Sequence, residues 1–283
     1  MTEQHRHNGT HPKHEQAEHF DHVGSPEFET YRPHREHRLY RYLMAYKLQR
    51  ALELLPWPLA GRTALSVCGG SGMDAEFVER AGAHVVLLDI SRGALLRARE
   101  RARSYGLGYR LVSGDAEHLP FRSATFDVSF VHDGLHHLVE PGRAIDEMAR
   151  VARDGVVINE PADAFLTKLL IGLRLIPARE EAGNLVVRFD SVSLQARLAR
   201  LGFPLGESAR YLVKYGHPPA RWWRLFDHPV AFTLARLLFL LFGVRLLGRF
   251  GNKLSVAATR LGTGRVPAQP GLVSAASRSA ESI

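Results

Sequence analysis

The sequence predicts an α/β protein with a doubly wound, mostly parallel sheet. Between residues 63 and 159, short apolar runs alternate with amphipathic stretches. Strands that are apolar throughout belong to sheets covered by helices on both faces. The first apolar run leads into the turn Gly69-Gly70-Ser71-Gly72, and the second ends on Asp89. A glycine turn between strand and helix lets backbone approach a ligand, and a carboxylate at the next strand tip can accept two ribose hydroxyls. At 283 residues, 45% of them hydrophobic, the chain can bury a full core and still carry a cap.

Residues 1–34 place His5, His7, His11, His14, His19, His22 and His34 among polar neighbours. Such a stretch buries too little apolar surface to order itself and reads as a disordered tail or an appended tag. A metal-binding tail is the weaker reading, because the histidines lack a regular ligand spacing. Residues 36–55 read as a helix with Leu39, Leu43, Tyr46, Leu48, Leu52 and Leu55 on its apolar side, ended by Pro56 and Pro58. Strands follow at 63–68, 84–88, 109–112, 126–131 and 156–159, with helices at 73–80, 92–105 and 142–152. Right-handed crossovers wind such a series into a parallel sheet. After Pro161 the pattern loosens. Residues 165–175 and 191–201 read as helices, and 208–215 and 253–259 as two late strands, which brings the sheet to seven. Residues 262–283 are small and polar and read as a second disordered tail. The expected organisation is a tail (1–34), a cofactor-binding core with its leading helix (35–161), a cap with the last strands (162–261) and a tail (262–283).

The formal charge is +8, and outside residues 1–38 the balance is +10. A basic body can draw anionic substrates, nucleic acid or a membrane surface. No basic stripe with interleaved aromatics is present and arginine outnumbers lysine, so the charge reads as background and no nucleic-acid partner is expected. The lone Cys68 excludes an internal disulfide, and no apolar leader is seen at the N-terminus, so a cytoplasmic location is expected. Residues 230–247 are strongly apolar. Arg236 and Arg245, nine residues apart, would point to opposite sides of one helix. A buried lid helix is the expectation, and an interfacial helix giving peripheral membrane contact is the alternative.

The glycine turn alone does not choose a cofactor, since Gly70-x-Gly72-x-x-Ala75 also fits a nicotinamide fingerprint. The choice comes from Ser113-Gly-Asp-Ala-Glu-His-Leu-Pro-Phe121 and Phe126-Asp-Val-Ser-Phe-Val-His-Asp-Gly-Leu-His-His-Leu138. On these segments the sequence resembles the class I S-adenosylmethionine-dependent methyltransferases, in the branch that includes ubiquinone/menaquinone-biosynthesis and many natural-product enzymes. The resemblance covers about residues 65–161. It implies a Rossmann-like sheet and S-adenosylmethionine as cofactor. It also implies a binding set: Cys68, Gly69, Gly70 and Gly72 in the first loop, Asp89 and Ile90 at the ribose, Asp115 and Ala116 at the adenine, and His132. The family's first motif begins with an acid and then a glycine, where Ser66 and Cys68 stand here. Cys68 must therefore accept a conformation that glycine adopts freely. Asp74 either replaces some of the lost charge or is a surface acid at a helix start.

His132, Asp133, His136 and His137 lie where the fourth strand ends, the side on which such sheets hold ligands. A histidine there suits general-base work, His136 or His137 in particular, with Asp133 to orient it. Packing beside the cofactor without chemistry is the competing reading. No metal is expected, because His132 and His136 lack an evident third ligand. Glu160 faces the same crevice as a substrate contact or a helix cap. Glu180, Glu181, Arg188, Tyr211 and Lys214 are substrate-recognition candidates, with surface or packing roles as the alternative. The expected activity is methyl transfer to oxygen or carbon of a small, hydrophobic acceptor. A cofactor-binding protein without catalysis is one alternative. An NAD(P)-dependent oxidoreductase is the other, and the lack of a Tyr-x-x-x-Lys pair after the fourth strand speaks against it.

Overall fold

A computed structural model describes residues 12–22, 25–35, 37–164, 167 and 187–261. Strands β1 (Thr63–Val67), β2 (His84–Asp89), β3 (Arg110–Ser113), β4 (Phe126–His132), β5 (Ala152–Pro161), β6 (Leu205–Tyr211) and β7 (Lys253–Thr259) form one sheet in the order β3-β2-β1-β4-β5-β7-β6. β1 to β5 run parallel, and β7 runs antiparallel to both β5 and β6. The chain winds outward from β1 to β3, then returns to β4 on the other side of β1. That reversal leaves a crevice beyond the carboxyl ends of β1 and β4. The mostly parallel seven-stranded sheet expected from the sequence is present.

The helices are α1 (Pro12–His22), α2 (Pro26–Tyr31), α3 (Arg38–Leu52), α4 (Met73–Arg80), α5 (Arg92–Tyr105), α6 (Pro141–Val151), α7 (Ser191–Arg200) and α8 (Pro229–Leu238). Successive residues of a strand point to opposite faces, so nearly continuous apolar strands feed two cores. Leu65, Val67, Val131 and Ile158 pack with Ile145, Met148, Leu194 and Leu198 under α6 and α7. Ala64, Val85, Phe130 and Val157 pack with Leu48, Val78 and Ala98 under α3, α4 and α5. A third cluster joins Leu39, Tyr40, Leu43 and Met44 of α3 to Tyr211, Val213, Trp223 and Phe232 of the cap.

Three expectations are corrected. Residues 12–22 and 26–31 are not a loose tail but form α1 and α2, held by polar contacts that hydropathy does not register. Asp21 Oδ1 accepts from Ser91 Oγ (2.6 Å) and from the Gly93 amide (2.7 Å), and Arg97 donates to the Phe20 and Asp21 carbonyls. The sixth strand covers Leu205–Tyr211 rather than 208–215, because this edge strand is exposed over 205–208 and lacks the continuous apolar run that marks the others. Residues 230–247 are not a buried lid. α8 continues as a π-helical segment (Phe239–Leu246), and only 11% of Pro229–Leu246 is buried. Phe232 and Phe239 pack on Tyr42 and Tyr46, while Val230, Leu234, Leu237, Leu241, Phe242 and Leu246 are exposed. The expected helix at 165–175 lies outside the described residues apart from Thr167, as does the C-terminal tail.

Arg101 ties α2 to the core. Its buried guanidinium donates to the Ser71 carbonyl (2.9 Å), Glu76 Oε2 (3.0 Å) and the Glu29 carbonyl (2.6 Å). Burial alone would raise the Glu76 carboxyl, but His34, Arg101 and Arg80 hold it at about 2, from an ordinary 4.5. A carboxyl depressed by folding adds stability that is full above its unfolded value and is lost as pH falls toward its folded one. Acid unfolding followed by circular dichroism should show this contribution, on the order of 3 kcal/mol, lost between about pH 4.5 and pH 2. The Glu76→Gln protein should lack that part of the pH dependence.

Candidate active site

The crevice holds a cavity of about 540 Å³, within the range of small-molecule and cofactor sites. One end is built by the first loop. Cys68 (φ 52°), Gly70 (φ 52°) and Gly72 (φ 83°) all adopt left-handed backbone. A Cβ on Gly69 would sit 2.4 Å from Leu87 Cγ, and one on Gly72 would sit 2.4 Å from Tyr109 Oη. A Cβ on Gly70 would meet nothing within 4 Å, so this backbone faces the cavity bare. Asp89 locks the loop. Its Oδ2 accepts from the Gly70 amide and its Oδ1 from the Ser91 amide, both at 2.8 Å. Each oxygen keeps a lone pair, as a pair of vicinal hydroxyls requires. Burial raises the Asp89 carboxyl despite these bonds. Ile90, Asp115 and Ala116 line the same end, beside Leu88 and Gly114.

These residues fit the adenosine part of S-adenosylmethionine: bare backbone at Gly70, a diol-accepting carboxylate at Asp89 and a second carboxylate at Asp115. Asp115 already has partners. Lys13 Nζ lies 2.6 Å from Asp115 Oδ2 and 2.5 Å from Glu117 Oε2, so α1 reaches across the cavity mouth. Burial would raise the Asp115 carboxyl, but the Lys13 ammonium pulls it below its ordinary value. Ser66, where the family carries an acid, is buried in the sheet and does not line the cavity, whereas Cys68 does. Burial, with Asp89 and Glu160 nearby, keeps the Cys68 thiol protonated. Asp74 is not a surface acid. It is buried, with Oδ1 3.0 Å from His132 Nδ1.

The β4 tip forms the other end. Glu160 is fully buried at the end of β5. Its Oε1 accepts from the amides of Gly134 (2.8 Å) and Leu135 (2.7 Å), and its Oε2 lies 2.6 Å from His136 Nδ1. Glu160, rather than Asp133, therefore orients His136. His137 stacks against His136 at 4.0 Å and meets the edge of Phe20 at 5.0 Å. Asp133 (φ 50°) turns the other way. It accepts from Lys47 Nζ at 2.7 Å and from Lys253 Nζ, with His132 Nε2 at 3.2 Å. Burial opposes ionisation of Asp133, but the Lys253 and Lys47 ammoniums hold its carboxyl well below the usual range. Asp133, His136 and Glu160 bring three potential metal-ligand atoms within 4.8 Å of one another, a group that does not include His132. Those oxygens are committed to two ammoniums, two amides and an imidazole, which a cation would have to displace.

Lys47, Lys253, Arg32, Lys13 and Tyr215 also line the cavity, and none of them is singled out by the sequence motifs. Lys47 carries a signal: it falls four residues after Leu43 and four before Ala51, on the buried stripe of α3. Lys253 has none. It opens β7, and because β7 is antiparallel its first residue pairs with Pro161 at the crevice end of β5. Of the cap candidates, Lys214 reaches the cavity, Tyr211 is core, Arg188 does not line it, and Glu180 and Glu181 lie outside the described residues.

Comparison with known proteins places the core. The family described as "Methyltransferase domain" matches residues 65–158. The match runs from β1 into β5. A ubiquinone/menaquinone biosynthesis C-methyltransferase of Roseobacter denitrificans is 37% identical over 108 residues, which is 36% of this chain and 43% of the relative. A demethylmenaquinone methyltransferase of Clavibacter sepedonicus is 36% identical over 105 residues, 36% of this chain and 42% of the relative. The chain thus spans about two fifths of the length of these curated relatives. Among solved structures, magnesium protoporphyrin IX methyltransferase from Synechocystis with bound S-adenosylhomocysteine superposes with a TM-score of 0.60 at 15% identity, covering 88% of this chain and all of that one. A possible histamine N-methyltransferase from Thermotoga maritima gives 0.56 at 16% identity, covering 88% and 100%. At such identities these two establish the fold. The domain match speaks for the methyltransferase expectation over the oxidoreductase alternative.

Glu160→Ala would strand two buried amides and the His136 ring. Thermal melts should show a loss of roughly 2–5 kcal/mol, with the sheet intact by circular dichroism.

Proposed function

We propose that the protein is an S-adenosylmethionine-dependent methyltransferase acting on oxygen or carbon of a small, hydrophobic acceptor. The observation that carries this is Asp89, buried at the β2 tip and locked to the Gly70 amide inside the matched domain. When bound, the cofactor would supply an activated sulfonium methyl, for in-line transfer to an acceptor's electron pair with the thioether as leaving group. The chain's own part is alignment and exclusion of water. The first loop and Asp89 fix the nucleoside, and Glu160 fixes the β4 tip opposite. His136 stays a candidate base, with Glu160 as its positioning partner.

The relatives' names point to quinone-like aromatic acceptors. The cap residues beyond 161 lie outside the domain match, so the acceptor is proposed by class alone. The lone Cys68 supports a reducing compartment. We also propose peripheral contact with an anionic membrane through Pro229–Leu246. One face of this segment is packed on α3 and the other is bare, which favours lying on a bilayer over crossing it. Residues 221–249 carry Arg221, Arg224, Arg236, Arg245 and Arg249 against the single acid Asp227. The Leu212 amide donates to the Gly243 carbonyl (2.7 Å), so the segment abuts the 213–217 stretch that walls the cavity.

Calorimetry with S-adenosylhomocysteine tests the cofactor site. Binding should be measurable, and Asp89→Ala should weaken it at least about tenfold, roughly 1.4 kcal/mol. Unchanged affinity in that variant would dismiss the assignment. Sedimentation with vesicles of mixed neutral and acidic phospholipid tests the membrane contact. Leu237→Ser combined with Leu241→Ser should weaken binding about tenfold or more, and binding to purely neutral vesicles should be weaker than to acidic ones.

A further inference from the structure

At the cavity end opposite Asp89, Glu29 is paired with Arg32 and Asp74 lies against His132, which leaves two lysines to one carboxylate. Lys47 and Lys253 share one carboxylate, that of Asp133, so this trio carries one excess positive charge. Lys47 is 1% exposed and Lys253 13%, which leaves little water to screen them. Arg32 lies at the same cavity, its guanidinium 3.1 Å from Glu29 Oε2. Its buried Nε has no hydrogen-bond partner among the described residues. Met44, Val213 and Leu138 give the same end apolar walls. A poorly solvated cation without a full counter-charge is costly unless a ligand supplies the anion.

We propose that Lys47, Lys253 and Arg32 form the acceptor's headgroup site and that it takes an ionised oxygen, phenolate or carboxylate, carried on a hydrophobic body. This rests on the methyl-transfer reading for the word acceptor, but the anion site itself is built from residues outside the cofactor set. Asp133 is its positioning residue. It holds the two ammoniums together and leaves a single excess charge, which suits a monoanion. Tyr215, whose hydroxyl accepts from Lys47 Nζ, fixes the ammonium from the far side. For an acceptor that must ionise to attack, a site that favours the anion takes over much of the work of a base.

The test uses 4-nitro-1-naphthol, whose anion is coloured and whose neutral form is not, and 1-naphthoate. The naphthol is titrated against pH with the full chain, with and without S-adenosylhomocysteine, and naphthoate binding is followed by calorimetry. The native protein should bind naphtholate at least tenfold more tightly than the neutral naphthol. Lys253→Met should abolish that preference, and Lys253→Arg should keep most of it. Asp133→Asn removes the counter-charge, and asparagine tolerates φ 50°. It should strengthen anion binding several-fold, whereas damage to the fold would weaken binding in both Asp133→Asn and Lys253→Met. Naphthoate bound in preference to naphtholate assigns the site to carboxylate acceptors, and the reverse assigns it to phenolates. The proposal is overturned if neither anion binds, if neutral naphthol binds as well as its anion, or if Lys253→Met and Asp133→Asn change binding in the same direction. Failure of S-adenosylhomocysteine to bind, with these anion results intact, would remove methyl transfer and leave the anion site standing.

Discussion

The site depends on how closely two backbone turns approach each other. Gly134 follows β4, and a Cβ there would fall 2.5 Å from Cys68 Cβ in the loop after β1. Neighbouring parallel strands end together, so the loops above them compete for the same space. Here the β4 turn is drawn down by Glu160, whose carboxylate replaces water for two amides and an imidazole at once. The β1 turn is drawn sideways by Asp89. Two buried carboxylates at strand tips thus fix the two turns that bound the cavity, and everything lining it inherits that geometry.

The distribution of charge follows from the same plan. Acids collect on the β1–β3 side, where Asp89, Asp115 and Glu117 face a nucleoside-sized space. Bases collect where β7 enters the sheet beside β5. The reversed direction of β7 brings Lys253 to the crevice, and α3, crossing the same region, brings Lys47. The lysine pair therefore sits at the end away from Asp89, Asp115 and Glu117. A neutral or cationic nucleoside and an anionic acceptor would sort themselves to opposite ends before any chemistry.

The fold is legible where burial is two-sided. β1, β2, β4 and β5 are apolar runs because both faces are covered, and periodicity finds them. β6 escapes accurate placement because Glu207 and Arg210 stand among small residues and leave no apolar run. The nucleoside end is legible because Gly70, Gly72, Asp89 and Asp115 lie close to strand ends in a fixed order. The cationic end is not, since its members are separated by 86 and 120 residues from Asp133 and meet only through topology. Hydropathy also misleads at both margins. It assigns α1 to disorder, although side-chain-to-backbone bonds at Asp21 and Arg97 hold that helix. It assigns Pro229–Leu246 to the interior, although a greasy sequence reports only that a surface avoids water and not what covers it.

The bridge from Lys13 to Asp115 and Glu117 makes α1 a competitor for the nucleoside end. On the proposed assignment, a purine amine arriving at Asp115 would have to take over a bond that the lysine already makes, while Phe20 rests against His137. Occupancy and the docking of α1 are then thermodynamically linked: whatever loosens the helix eases entry, and whatever enters loosens the helix.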